Sequence, residues 1–306
     1  MIIELGLFVL GILLLVKGAD FFVEGGSGLA AKFGVSPSMI GLTVIAFGTS
    51  LPEFVVSINA IITENQAIAL GNVVGSNIAN VGLVLAFCAV LKPGLFKATN
   101  AKGVLISKEA AWMIAATLLF LAMAATGSLT LVAGVLFLAL FVVMMVHLGK
   151  TSIGENERVH SHGKRDFVYL IGGVVGVIVG AQLVVDSAST IAEQFGVPSF
   201  VIGMSLVAVG TSLPELATSV VAIWKGQGGI SVGNILGSNI FNLLFVMGIG
   251  VLIRPIDIPS MSDILIMAVF SFAGLVLFIG SVASIRGVGI LLLVAYFGYI
   301  AVLFGG

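Results

Sequence analysis

The sequence contains few charged residues and little cysteine, and each shortage argues against a class of protein. Charged side chains make up 9% of the 306 residues, whereas hydrophobic side chains make up 59%. Soluble domains carry roughly a quarter charged residues, so a membrane protein with several spans is predicted. The net charge of −1 provides no basic surface for phosphates, and no nucleic-acid partner is expected. The single cysteine, Cys88, excludes an internal disulfide.

Ten apolar segments are long enough to cross a bilayer, which takes roughly 20 helical residues. They lie at about 3–23, 37–62, 67–91, 109–126, 129–148, 167–190, 199–223, 228–252, 261–281 and 285–304. The first residues, Met1-Ile2-Ile3-Glu4, lack the basic region of a cleavable signal peptide, so the first segment is expected to be a retained span. The predicted fold class is therefore an all-α membrane protein with ten transmembrane helices.

Two motifs occur twice in the chain. Gly-Thr-Ser-Leu-Pro-Glu occupies 48–53 and 210–215, and Gly-Asn-x-x-Gly-Ser-Asn-Ile-x-Asn occupies 71–80 and 233–242. Every matched position is offset by 162 residues, and 20 of 41 positions in 40–80 are identical to those in 202–242. A duplicated unit with an odd number of spans enters the membrane from the opposite side the second time. We predict two inverted five-helix repeats, at 1–149 and 167–306, with a solvated cytoplasmic linker at 150–166.

The distribution of lysine and arginine fits this count. Eleven of the 13 lie in the connections after odd-numbered spans, one (Arg254) lies after an even-numbered span, and Lys17 is near the end of the first span. Basic residues favour the cytoplasmic side, so the odd connections are predicted to be cytoplasmic and both termini extracytoplasmic. We expect a multi-pass protein of the cell membrane that functions as a monomer in the lipid bilayer.

Glu53 and Glu215 are acidic residues that fall near the middle of predicted spans. An acidic residue at a helix centre costs about 2.5–3.5 kcal/mol even on a lenient insertion scale. Such a residue persists where it faces a cavity, a proton or a bound cation. A protonated glutamate in an interhelical hydrogen bond is the structural alternative, and two copies in the same setting argue against it.

The residues around each glutamate offer further oxygen atoms. Pro52 and Pro214 each remove a backbone N–H and are expected to free the carbonyl of Gly48 or Gly210. Hydroxyl and amide groups are contributed by Thr49, Ser50, Asn72, Ser76, Asn77 and Asn80 and by Thr211, Ser212, Asn234, Ser238, Asn239 and Asn242. A set of oxygen ligands without sulfur or imidazole suits Ca²⁺ better than zinc, copper or iron. The two carboxylates match one Ca²⁺ or two to three monovalent ions, whereas the glycines of the motifs fit close helix packing equally well.

The doubled segments resemble the alpha repeats of the cation/calcium exchanger superfamily, and the compact chain resembles its prokaryotic sodium/calcium exchangers. The resemblance covers nearly the whole chain. It implies that spans 2, 3, 7 and 8 form an ion-binding core and that spans 1 and 6 form a sliding outer pair. It also implies that Glu53 and Glu215 are ligands shared by Ca²⁺ and Na⁺. The remaining implied ligands are the carbonyls of Thr49 and Thr211, the Na⁺-site serines Ser50, Ser76, Ser212 and Ser238, and the central Asn80 and Asn242.

One departure from the family pattern concerns the counter-ion. Sodium/calcium exchangers of this kind often carry aspartate in place of Asn242, and potassium-dependent relatives carry aspartate in place of both Asn80 and Asn242. Two asparagines argue against potassium co-transport and leave Na⁺ and H⁺ both open. We expect an antiporter, not an enzyme, that exchanges Ca²⁺ for Na⁺ by alternating access without a resident cofactor; a Ca²⁺/H⁺ antiporter is the alternative.

Three other hypotheses fit the sequence less well. An intramembrane aspartyl protease needs two aspartates in unlike motifs, whereas this chain has two glutamates in symmetric Pro-Glu turns. A passive cation channel would be distinguished by flux that needs no ion on the opposite side. His160 and His162 could contact a metal, but no further histidine or cysteine lies nearby in the sequence, so a metal site there is not expected.

Overall fold

The structure is a computed structural model that describes residues 2–98, 108–151, 163–195, 210–278 and 281–305. Nearly all of these residues are helical. A two-residue antiparallel pairing joins β1 (Ser128–Leu129) to β2 (Ile256–Asp257), with Ser128 opposite Asp257. The predicted all-α class is therefore confirmed.

The helices of the first half are α1 (Ile2–Phe33), α2 (Pro37–Thr49), α3 (Leu51–Ile62), α4 (Gln66–Leu91), α5 (Pro93–Ala98), α6 (Lys108–Ala124) and α7 (Leu131–Thr151). Those of the second half are α8 (Lys164–Gln194), α9 (Leu213–Trp224), α10 (Gly228–Ile253), α11 (Ser262–Phe278) and α12 (Val282–Gly305). Each of the ten predicted segments overlaps at least one of these helices. Residues 199–209 of the predicted seventh span, and His160 and His162 of the predicted linker, lie outside the described residues.

Helix length supports a multi-pass membrane protein but does not by itself give ten spans. Within the described ranges, six helices are long and apolar enough to cross a bilayer: α1, α4, α7, α8, α10 and α12. The bent pair of α2 and α3 would make a seventh. The helices α9 and α11 are apolar but shorter, and α6 has 17 residues. The ten-span count remains a prediction.

Helices extend into both ends of the predicted linker at 150–166. The helix α7 continues through Thr151, and α8 begins at Lys164. Asp166, predicted to be solvated, is buried instead. A Cβ added to Gly28 of α1 would lie 2.2 Å from the Asp166 carboxyl carbon. The glycine therefore leaves room for this carboxylate, a contact between distant segments that local polarity did not reveal.

The long helices α1 and α8 pack against each other in antiparallel orientation. Gly11 faces Gly180, Gly18 faces Gly173 and Val177, and Gly25 faces Leu170. Residue numbers thus fall along α8 as they rise along α1. Without side chains the two backbones approach closely, as small residues allow in membrane helices. Because the 162-residue offset relates Gly11 to Gly173 and Gly18 to Gly180, the antiparallel pair consists of two copies of one helix.

This close packing predicts an effect of one added methyl group. A Cβ at Gly173 would lie 2.4 Å from the Phe22 backbone nitrogen, whereas a Cβ at the neighbouring Gly172 would have no described atom within 4 Å. We expect Gly173→Ala to cost on the order of 1–3 kcal/mol of stability. Thermal unfolding of the purified protein in detergent should show a lower transition temperature for Gly173→Ala and an unchanged transition temperature for Gly172→Ala. Equal transition temperatures for the two variants would contradict the close packing of α1 on α8.

The helices that carry the repeated asparagine motif are central in the bundle. In α4 and α10, 78% and 83% of the most apolar window is buried, compared with 22% in each of α1, α8 and α12. The larger apolar core cluster surrounds α4 and α10, and a smaller cluster joins α1 and α8 to α2 and α9. Most of the polar motif residues therefore lie within the protein.

Contacts near the helix ends fall into two groups. The first group joins Lys225 to Asp20 and Glu24, Lys92 to the Ile223 carbonyl, Ser38 to Glu109, and Lys32 to the Phe167 ring. The second group joins Arg254 to Glu64, β1 to β2, and Tyr299 to Asp263. Every contact of the first group lies at the ends of the predicted spans that would face the cytoplasm, where the connections after odd-numbered spans run. Every contact of the second group lies at the opposite ends, where the connections after even-numbered spans run.

Candidate ion-binding site

Each glutamate lies in the first turn of a helix that begins at a break in the chain. Ser50 separates α2 from α3 with φ −88° and ψ 8°, and the two helices are bent by 49°. Ser212 precedes α9 with nearly the same angles, φ −87° and ψ 0°. Proline is the second residue of both helices, where its missing N–H leaves no intrahelical bond unmade. The glutamate that follows lies at the N-terminal end of its helix.

The serines at these breaks do not cap their own helices. The spacing Ser50-x-x-Glu53 is that of a capping box, in which the serine would accept from the backbone N–H of the glutamate. Neither Ser50 nor Ser212 makes such a side-chain cap. Ser50 Oγ instead donates to Glu215 Oε1 of the other repeat at 3.0 Å. The break therefore releases a hydroxyl group for a contact between the repeats.

The two carboxylates are fully buried and have different environments. Glu215 Oε1 accepts from Ser50 Oγ and from Ser238 Oγ, the latter at 3.2 Å. Glu215 Oε2 and both oxygens of Glu53 have no hydrogen-bond donor. Ser50, three residues before Glu53, contacts Glu215, so the two glutamates belong to one region of the protein. Burial of two carboxylates with three oxygens that lack donors is unfavourable unless something positive neutralises them.

Asparagines brace each glutamate-bearing helix in the same way. Asn72 Nδ2 donates to the Glu53 carbonyl at 3.2 Å and to Ser57 Oγ at 2.9 Å. Asn234 Nδ2 donates to the Glu215 carbonyl at 3.5 Å and to Ser219 Oγ at 3.0 Å. These amides hold α4 against α3 and α10 against α9, at the turn that carries the carboxylate.

A second set of asparagines connects the repeats to each other. Asn80 Nδ2 donates to Asn239 Oδ1 at 3.0 Å, and Asn242 Nδ2 donates to Asn77 Oδ1 at 3.2 Å. Under the 162-residue offset Asn80 corresponds to Asn242 and Asn77 corresponds to Asn239, so the two bonds are equivalent in the two repeats. Asn80 and Asn242 both lie in π-helical turns, Asn80–Leu85 and Phe241–Val246, which are frequent at functional sites.

Buried oxygens without a partner are concentrated in the predicted ligand residues. Of the eight buried side-chain atoms without a partner in the described part of the chain, six belong to that set: both carboxylate oxygens of Glu53, Glu215 Oε2, Asn80 Oδ1, Asn242 Oδ1 and Ser212 Oγ. An unsatisfied buried polar group costs roughly 1–3 kcal/mol. Bound cations are suitable partners for these atoms, because each of the six can act as an acceptor. Such an oxygen set is suited to hard cations.

The other predicted residues have different environments. Thr49 is buried, and its hydroxyl donates to Asn234 Oδ1 at 2.9 Å. Ser76 is buried on α4, and Thr211 is partly exposed. Among the residues with described positions, no three of histidine, cysteine, aspartate and glutamate form a cluster. The candidate site therefore combines two carboxylates with neutral oxygens.

Sequence reasoning did not identify the methionines that contact this network. Asn77 Nδ2 lies 3.8 Å from Met267 Sδ, and Asn239 Nδ2 lies 3.7 Å from Met113 Sδ. Methionine is common in apolar helices, so no signal in the sequence distinguished these two. Asn77 and Asn239 were visible as members of the repeated motif, but the motif alone did not separate them from Asn80 and Asn242.

Comparisons with known proteins show which family this chain resembles. The sequence matches the family described as sodium/calcium exchanger protein over residues 3–150 and 166–305. The putative antiporter CaxA of Alkalimonas amylolytica is 38% identical over 317 residues, covering 97% of this chain and 98% of that protein. The sodium/calcium exchanger MaX1 of Methanosarcina acetivorans is 33% identical over 346 residues, covering 97% of each.

A solved structure extends the match to three dimensions. The sodium-calcium exchanger NCX_Mj, soaked with Na⁺ and Ca²⁺, matches with a TM-score of 0.82 at 35% identity, covering 98% of both chains. Sequence and structure therefore match from end to end, and the repeated motifs lie at the centre of both halves. This chain belongs to the sodium/calcium exchanger family of the cation/calcium exchanger superfamily.

Proposed function

We propose that this protein is a secondary active antiporter that exchanges cytoplasmic Ca²⁺ for external Na⁺ by alternating access. The observation that carries the proposal is the set of six buried, unpartnered oxygens on Glu53, Glu215, Asn80, Asn242 and Ser212. The relatives MaX1 and NCX_Mj are sodium/calcium exchangers by name, and NCX_Mj has been soaked with Na⁺ together with Ca²⁺ or Sr²⁺.

Charge explains why such a site would exchange ions and not leak them. The two carboxylates give the candidate site a formal charge of −2 when no ion is bound, and burial of uncompensated charge is costly. One Ca²⁺ or a set of Na⁺ ions lowers this cost, so the loaded site can be closed off from water. The empty site remains open until an ion binds. Transport in one direction is thereby linked to the return of another ion.

Na⁺ is favoured over H⁺ because of the hydroxyl groups around the carboxylates. A proton needs only the carboxylate, whereas Na⁺ also needs neutral oxygen ligands. Ser50 and Ser238 both contact Glu215, and Ser212 Oγ is buried without a partner. Uptake of radiolabelled Ca²⁺ into proteoliposomes, with either a Na⁺ gradient or a pH gradient imposed, tests this choice against the Ca²⁺/H⁺ antiporter.

The proposed topology has ten spans in two inverted repeats, at 1–149 and 167–306, with both termini outside the cytoplasm. The antiparallel packing of α1 on α8 supports inversion, because these helices are equivalent under the repeat. The two groups of contacts near the helix ends support the count, since neither group joins an odd connection to an even one. We place the chain in the cell membrane and propose that the monomer is sufficient for transport.

Cysteine labelling tests the inversion. Asn65 and Gln227 are equivalent under the 162-residue offset and lie just before α4 and α10. A cysteine is not placed at the nearby Lys225, because Lys225 Nζ forms an ion pair with Asp20 Oδ1 at 2.7 Å. In a Cys88→Ala background, an impermeant thiol reagent applied to intact cells should label Asn65→Cys but not Gln227→Cys. After the cells are opened, both should be labelled. Equal labelling of both in intact cells would contradict the inverted topology.

A further inference from the structure

An asparagine amide has two ends of nearly the same shape and opposite hydrogen-bonding character. Its oxygen accepts, and its nitrogen donates. A cation is attracted by the oxygen and repelled by the N–H groups. Asn80 and Asn242 therefore serve as ion ligands only if something holds their nitrogens away from the ion. The proposed function depends on this orientation.

Two other asparagines supply the required acceptors. Asn239 Oδ1 accepts from Asn80 Nδ2 at 3.0 Å, and Asn77 Oδ1 accepts from Asn242 Nδ2 at 3.2 Å. Each bond engages the amide nitrogen and leaves the oxygen of Asn80 or Asn242 buried without a partner. The orientation of each candidate ligand is thus determined by an asparagine of the opposite repeat.

The orientation of Asn77 and Asn239 is determined in turn by groups that only accept. Asn77 Nδ2 faces Met267 Sδ at 3.8 Å and the Asn239 backbone carbonyl at 3.3 Å. Asn239 Nδ2 faces Met113 Sδ at 3.7 Å. A thioether and a carbonyl have no hydrogen to donate, so turning either amide round would bring two acceptors together. Each chain of bonds therefore has one favourable direction.

We infer that Asn77 and Asn239 are positioning residues that orient the ion ligands Asn242 and Asn80. Each belongs to an amide relay, which runs from Met267 through Asn77 to Asn242 and from Met113 through Asn239 to Asn80. The inference rests on the proposed function, because it treats Asn80 and Asn242 as ligands. The relay also links the repeats, since Asn239 and Asn77 each orient a ligand in the opposite half. A substitution at Asn239 should therefore alter the orientation of Asn80 Oδ1 in the first repeat, and one at Asn77 should alter that of Asn242 Oδ1 in the second.

A pair of substitutions at Asn239 separates positioning from packing. Asn239→Asp keeps an oxygen for Asn80 Nδ2 and has nearly the same shape. Asn239→Leu keeps apolar contact with Met113 but has no acceptor. Positioning predicts that the aspartate variant binds Ca²⁺ better than the leucine variant. Packing predicts the opposite order, because leucine suits an apolar core and a buried carboxylate does not.

Calorimetric titration of Ca²⁺ into the purified full-length protein in Na⁺-free detergent solution is the measurement. We expect the Kd of Asn239→Leu to rise about tenfold over that of the natural protein, and the Kd of Asn239→Asp to stay within about threefold. Met113→Leu, which removes only the terminal acceptor, should raise the Kd about threefold. If Asn239→Leu does not fold, the Kd of Met113→Leu tests the amide relay by itself.

Three results would overturn the inference. They are an unchanged Kd for Asn239→Leu, weaker binding by the aspartate variant than by the leucine variant, and an unchanged Kd for Met113→Leu. A natural protein that binds no Ca²⁺ would overturn the proposed function as well. Ca²⁺ binding by the natural protein together with an unaffected leucine variant would overturn the amide relay alone.

Discussion

Glu53→Gln and Glu215→Gln are each expected to reduce Ca²⁺ transport by roughly 150- to 4000-fold, close to the background of empty vesicles. Each substitution keeps the shape of the side chain and halves the charge of the candidate site. Loss of one partner from a buried charge pair costs about 3–5 kcal/mol, which corresponds to that range. The measurement is the initial rate of radiolabelled Ca²⁺ uptake by proteoliposomes that contain equal amounts of each variant.

A matched control is available at Glu64. This glutamate is 69% exposed and pairs with Arg254 at 2.9 Å, away from the candidate site. Glu64→Gln should therefore transport at the rate of the natural protein. Transport near that rate by Glu53→Gln or Glu215→Gln would contradict the idea that both carboxylates are ligands of the same ions.

The Na⁺ dependence of transport is expected to depend on the serines beside the glutamates. Ser238 Oγ donates to Glu215 Oε1, and Ser76 is its counterpart on α4. Removal of one hydroxyl ligand costs about 1 kcal/mol, or roughly a fivefold change in affinity. Ser76→Ala and Ser238→Ala should each raise the Na⁺ concentration for half-maximal exchange about fivefold, with a smaller effect on the half-saturating Ca²⁺ concentration.

Ser231→Ala is the control for the serine variants. Ser231 is buried on the same helix as Ser238, two turns earlier, and its hydroxyl faces Cys88 Sγ at 3.8 Å. Its removal should leave the Na⁺ dependence unchanged. If Ser76→Ala and Ser238→Ala behave like Ser231→Ala, the serines are packing residues and not Na⁺ ligands.

The sequence was sufficient to locate the candidate site because the chain repeats itself. The 162-residue offset alone pairs Glu53 with Glu215, and both are buried at helix starts with their neighbouring serines. The apolar composition likewise predicted the all-α class. Both inferences depend on properties that each residue carries wherever it lies, namely charge and hydrophobicity.

The orientation of the polar groups could not be predicted in this way. A motif names Asn80 but does not say whether its oxygen or its nitrogen faces an ion, since that depends on Asn239, 159 residues away. Similarly, the Ser-x-x-Glu spacing favours a local helix cap, whereas Ser50 forms its bond with the other repeat. Such contacts are decided by tertiary packing and not by local sequence.

The burial of Asp166 has a related cause. Asp166 follows a run of polar residues, so its neighbours indicated a solvated segment, but Gly28 of α1 provides space that buries it. The glycines of α1 and α8 carried a signal that could have been used. Gly11, Gly18 and Gly25 are seven residues apart, as are Gly173 and Gly180, which is the spacing of one helix face.

Ca²⁺ uptake driven by Na⁺ alone tests the central claim most directly. Proteoliposomes loaded with Na⁺ are diluted into Na⁺-free medium that contains radiolabelled Ca²⁺, with the same pH on both sides and ionophores present to hold that pH equal. We expect rapid accumulation of Ca²⁺ that is lost when Na⁺ is present equally on both sides and is absent with Glu53→Gln. Accumulation that requires a pH gradient and does not respond to Na⁺ would contradict sodium-coupled exchange.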